Sequence, residues 1–87
     1  MVRRSVAHGD VEVVREQAVA VRPARFRLCY AAARSCECLL PGHVPLRLNE
    51  RESLLVDAAD GVAPVLHVTP LAPDAVALVV IVDMATA

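Results

Sequence analysis

The chain has no tryptophan, one phenylalanine (Phe26) and one tyrosine (Tyr30). With so few aromatic platforms, binding of single-stranded nucleic acid by base stacking is excluded as a main function. Lysine is also absent. All nine basic residues are arginine, against ten acidic residues, for a formal net charge of -1. That balance argues against a nucleic-acid binder, whose affinity rests on phosphate neutralisation. Glycine occurs only at positions 9, 42 and 61, so there is no phosphate-cradling loop. The only serines, Ser5, Ser35 and Ser53, lie outside any nucleophile-elbow context. The longest apolar run, Ala75 to Val82, is eight residues, well short of the roughly 20 that span a bilayer. The opening MVRRSVAHGD has two arginines but no apolar core, so it does not read as a signal peptide. A soluble, cytoplasmic protein is expected.

What is present is a chain of 87 residues, 56% hydrophobic, dominated by Val, Ala and Leu. That length supports one small domain, residues 1–87, with a polar and frayed lead-in over 1–9. A domain of this size buries only about 60% of its unfolded surface, so modest stability is expected. Arginine is concentrated early: seven of the nine precede residue 40. The plain reading is a solvated face; the alternative is a surface for an acidic partner.

Three cysteines, Cys29, Cys36 and Cys38, make an odd count without an export signal, so a disulfide framework is not expected. On a strand, Cys36 and Cys38 share one face. Together with Cys29 and a histidine, His43 or His8, they could compose a Cys3His zinc site. However, C-x-C with one remote cysteine is not the usual zinc spacing. The cysteines are therefore read as small buried hydrophobes, with no metal and no cofactor.

The pattern predicts an α+β fold: a small three-stranded antiparallel sheet followed by a helix. Asp10–Val21 mixes helical and alternating signals, with a strand favoured. Phe26, Leu28 and Tyr30 alternate with Arg25, Arg27 and Cys29 over Ala24–Tyr30, the first sheet strand. Cys36–Leu40 is the second strand, stopped by Pro41-Gly42. Val44, Leu46 and Leu48 form the third, and Pro45 puts that strand at an edge. Asn49 then reads as an N-cap with Glu52 in capping-box position. Leu54, Leu55, Ala58 and Ala59 supply a helical stripe, and Asp60-Gly61 a stop. Beyond Gly61 the reading stays open. Asp74–Met84 could be a helix, but its Val and Ile density argues equally for a buried strand.

No catalytic constellation is visible. The three histidines are scattered, and Glu50 and Glu52 would point to different sides of a helix. The expectation is a binding module, not an enzyme.

The stretch Arg25–Gly61 resembles the PqqD-like peptide-binding proteins, or RiPP recognition elements. The matching residues are Phe26, Arg27, Leu28 and Tyr30, then Leu39-Leu40-Pro41-Gly42, Leu48-Asn49-Glu50 and Asp60-Gly61. The resemblance implies a winged helix-turn-helix that captures the leader of a ribosomally made precursor peptide by strand addition. It further implies a modifying enzyme as partner, often of the radical-SAM type, with no nucleic acid and no membrane involved. The strand-adding edge would be His43, Val44, Pro45, Leu46, Arg47 and Leu48. The facing wall would be Val76, Val79 and Val80. The strands near Leu28–Tyr30 and Val44–Leu48, followed by Arg51-Glu52, Leu54-Leu55 and HVTP at His67–Pro70, are also similar to SsgA-like sporulation and cell-division proteins. That resemblance implies a structural adaptor.

Overall fold

Strand pairing across long sequence separations, not local helix chemistry, decides this structure. The computed structural model describes residues 5–58 and 64–86. Among these there is no helix. Eight strands form: β1 (Ser5–Arg15), β2 (Val19–Val21), β3 (Phe26–Ala33), β4 (Cys36–Leu39), β5 (Leu46–Leu48), β6 (Ser53–Asp57), β7 (Leu66–Pro70) and β8 (Val76–Thr86). They build two four-stranded antiparallel sheets, ordered β1-β8-β3-β6 and β2-β7-β4-β5. Apart from β4 and β5, which are neighbours in one sheet, successive strands cross between the two sheets, which is the strand order of a jelly roll.

The expected α+β fold is therefore corrected to all-β, and the helix from Asn49 with it. The capping chemistry is present but closes a turn. The Asn49 N–H donates to Glu52 Oε1 at 2.7 Å, and the Glu52 N–H donates to the Asn49 carbonyl at 2.9 Å. Arg51 then takes a left-handed φ of 71°, which ends any helical run. Its N–H donates to the Ala31 carbonyl at 2.6 Å, docking the turn on β3. From Ser53 the alternation has period two: Leu54 is half-buried, Leu55 exposed and Val56 buried. An isolated helix of some 12 residues is marginal in water, whereas these residues gain a complete ladder with β3, from Phe26↔Asp57 to Tyr30↔Ser53. Ala59, Asp60 and Gly61 lie outside the described residues.

The C-terminal segment left open by the sequence is a strand. β8 pairs with β1 from Ser5↔Thr86 to Arg15↔Val76 and with β3 on its other side. From Ser5 onward, the expected lead-in is part of β1. The three expected sheet strands exist as β3, β4 and β5. However, β3 belongs to one sheet while β4 and β5 belong to the other.

The core lies between the sheets. β1, β3 and β8 contribute Val14, Cys29, Ala31, Ala77, Val79 and Ile81; β2, β4, β5 and β7 contribute Val21, Cys36, Cys38, Leu48, Leu66 and Val68. At one side Arg22, just past β2, bridges Asp10 of β1 (2.9 Å) and Asp83 of β8, which ties the sheets together. At the other side the 49–52 turn carries the chain from β5 to β6.

Candidate functional site: a buried thiol triad beneath an apolar cavity

β3 alternates strictly, so Arg27, Cys29 and Ala31 all point inward. β4 does the same with Cys36 and Cys38. The two strands face each other across the sandwich. Their three sulfur atoms consequently meet, all within 4.8 Å of one another, in the fully buried core. All three are free thiols. The shared face of Cys36 and Cys38 follows from the sequence. What joins Cys29 to them is the packing of one sheet on the other, which no sequence spacing records.

The triad is polarised. Hydrogen bonds from the Cys29 thiol and then the Cys38 thiol stabilise a thiolate at Cys36 and hold its pKa down to about 4, against the opposing effect of burial. Cys29 is driven upward by its bonds to Cys36 and Cys38 and by burial. For Cys38, the contact with Cys29 pulls downward. The bond to Cys36, burial and the charges of Cys36 and Glu37 outweigh it and push the thiol up to about 12. The shifts diverge, downward at Cys36 and upward at Cys29 and Cys38, and three converging sulfurs are the start of a soft-metal donor set.

Cys38 also lines a cavity of about 430 Å³, together with Leu40, His43, Val44, Leu46 and Leu54. The walls come from β4 (Cys38), the β4–β5 connection (Leu40, His43, Val44), β5 (Leu46) and β6 (Leu54). Pro41-Gly42 turns the chain above it, with Gly42 at a φ of 76°, which glycine adopts without steric cost. His43 brings an imidazole to the same cavity. A larger depression of about 560 Å³, beside Glu16 and Pro70 to Pro73, offers no thiol or imidazole.

Arg27 lies one inward position from Cys29. Its side chain is fully buried, and none of its three guanidinium nitrogens meets an acceptor among the described residues. Desolvation lowers its pKa from the ordinary arginine value. The sequence places Arg27 opposite Phe26, Leu28 and Tyr30, but it does not indicate that the arginine face is the inner one.

The expected peptide-binding residues divide between the sheets. β5 is an edge strand, as Pro45 suggested, with Leu46 and Arg47 exposed and Leu48 buried. His43, Val44 and Leu46 line the cavity. Val76, Val79 and Val80 lie on β8, inside the other sheet; Val79 is core, while Val76 and Val80 face outward. The structure does not bring these two groups together as the walls of one groove.

Neither a protein-family model nor a curated protein sequence matches the chain, so these comparisons carry nothing on either family resemblance. Among solved structures, the fold is similar to a de novo designed double-stranded β-helix determined by solution NMR. The TM-score is 0.56 at 17% identity, covering 95% of this chain and 100% of that one. At that identity the likeness concerns the fold alone.

Proposed function

We propose that this chain is a non-catalytic binding module for a soft d10 cation, Zn(II) or Cu(I), held by the thiolates of Cys29, Cys36 and Cys38. The observation that carries this reading is the convergence of three sulfurs within 4.8 Å from two different strands. A metal–sulfur bond of about 2.3 Å sets sulfur–sulfur separations near 4 Å in a three-coordinate site, so the triad needs only a small contraction. Thiolates select these cations over hard ones. The cavity beyond Cys38 leaves room for a fourth donor, and His43 supplies an imidazole there. Burial excludes competing water. Three free thiols in so small a chain support a reducing, cytoplasmic setting. No helix long and apolar enough to cross a membrane occurs among the described residues.

The test is an anaerobic titration of the reduced protein with Zn(II) and, separately, Cu(I) against a chromophoric chelator. One cation per chain should bind, all three thiols should become protected from alkylation, and Cu(I) should give ultraviolet thiolate-to-metal absorption. Cys36→Ser should weaken binding by at least roughly 100-fold. A triple Cys29→Ser, Cys36→Ser, Cys38→Ser variant that binds as well as the parent would refute the reading.

A second reading is favoured by one observation: β5 is an unpaired edge next to the exposed Val44 and Leu46. An extended peptide, such as the precursor leader the sequence suggested, would add to that edge and place a side chain in the cavity. This reading draws on the edge alone and needs no winged helix.

A further inference from the structure

The outer face of the β1-β8-β3-β6 sheet runs against the usual rule for a two-layer β-sandwich. An antiparallel sheet with one solvated side alternates apolar-in with polar-out. Here the outward positions are apolar. The registers align Val11, Val80, Leu28 and Leu55 in one continuous row across all four strands. Its two ends are strongly exposed, Val11 at 63% and Leu55 at 59%. The row on one side adds Phe26 and Val82; the row on the other adds Leu78 and Tyr30, with Val13 exposed at its edge. Within these rows the central strands β3 and β8 are thus apolar on both sides, apart from the inward Arg27. Such a pattern marks strands covered on both faces.

We propose that this face is the interface for a second copy of the chain, packed sheet to sheet about a twofold axis. Charge argues for that occupant. Across the three rows the only acidic or basic residue is Asp57, at one corner, and Arg25 stands 3.5 Å from it. The face is therefore close to neutral, and meeting its own copy brings no like-charge repulsion. A nucleic acid or an anionic membrane would require a strongly cationic rim; here Arg25 lies over the Phe26 ring and pairs with Asp57, and Arg15 adds one charge at the next outward position of β1. Shape allows it, because two twisted sheets pack face to face with strands within about 30° of each other, and one such face can meet its own copy across a twofold. Area sets the strength. Four strands about 4.8 Å apart and three rows about 6.7 Å apart, with side-chain width, span roughly 400 Å². Two such faces bury roughly 800 Å² in total, below the size of a stable interface and in the range of a weak, transient one. The dimer should therefore form with rising concentration. This inference is independent of the thiol site, and its test is run reduced and with chelator so that no metal can bridge copies.

Sedimentation velocity from low micromolar to millimolar protein should show the mass rising from one chain toward two. Leu28→Glu at the centre and Leu55→Glu at the exposed edge should each weaken association by roughly tenfold or more. Leu39→Glu, on an exposed position of the other sheet, should leave association unchanged. If Leu28→Glu loses its β-sheet circular dichroism, Leu55→Glu decides. A parent that stays monomeric throughout overturns the proposal. Equal loss of association in Leu39→Glu overturns it too, by showing general adhesion in place of a defined face.

Discussion

Arg27 shows how far a single side chain can depart from its residue type. A guanidinium is rarely buried without partners, because desolvating an unpaired ion costs several kcal/mol. Here the backbone leaves no choice. Strict alternation along β3 gives Arg27 the same side as Cys29 and Ala31, and that side is the core. The residue costs the fold more than it returns through its own contacts. Arg27→Met keeps the unbranched stem and removes the charge. It should stabilise the protein by about 1–4 kcal/mol. For a domain of this size that is a rise of at least roughly 4 °C in thermal midpoint. Thermal unfolding followed by circular dichroism checks this; a fall in the midpoint would mean that Arg27 has a counter-charge worth more than its desolvation.

At the scale of elements, the scarcity of glycine leaves a mark on the corners. Among the described residues, three that are not glycine adopt left-handed backbone: Glu16 (φ 65°), Arg34 (φ 58°) and Arg51 (φ 71°). They stand where β1 gives way to β2, where β3 turns into β4, and where β5 turns into β6. Each corner is held by bonds in place of an easy conformation. Arg34 donates its N–H to Glu50 Oε1 (2.9 Å) and pairs with Asp74 (2.8 Å), and the turn at Arg51 is held by the Asn49–Glu52 bonds. Arg51 is exposed, so Arg51→Gly should relieve the strain without loss of packing. The left-handed penalty is about 1–2 kcal/mol and the entropy cost of glycine about 0.4–1 kcal/mol. A net gain of roughly 0.5–1 kcal/mol should appear as a higher urea midpoint at unchanged slope.

These elements also show what the sequence could and could not reveal. The strands over Phe26–Tyr30, Cys36–Leu40 and Val44–Leu48 are legible because period-two alternation and Pro41-Gly42 are local signals. The helix from Asn49 fails because its cap is equally a turn. Leu54, Val56 and Ala58 alternate as well as Leu54 and Ala58 repeat, and only the distant β3 distinguishes the two patterns. β8 is ambiguous for a related reason: Val76–Val82 is apolar on both sides, so no periodicity survives. Within the site, the common face of Cys36 and Cys38 was readable. The arrival of Cys29, and the inward turn of Arg27, depend on how the two sheets stack.

For the whole molecule, the ionisable groups predict a pH profile for metal-free protein. Cys36 has its folded pKa depressed to about 4, far below a free thiol near 8.5. Its contribution is complete above the unfolded value and is lost as pH falls toward the folded one. Cys29 and Cys38 are shifted upward, so they favour the folded state at lower pH and lose that advantage as pH rises above the free thiol value. Asp74, lowered by its hydrogen bond from Arg34, adds a small loss in acid. Stability should therefore climb from acid to a maximum near pH 8, then decline in alkali. Urea unfolding across pH under reducing conditions checks this, and a flat profile between pH 5 and 8 would contradict the polarised triad.

The pairing of Ser5 with Thr86 means that the described chain enters and leaves the fold at one point. Topologically it is a nearly closed ring with a single seam. A short linker across that seam, and new ends opened in the exposed 41–45 loop, would give a permuted chain with every sheet contact retained. The same seam lets the domain sit within a host protein as a pendant, attached at one place.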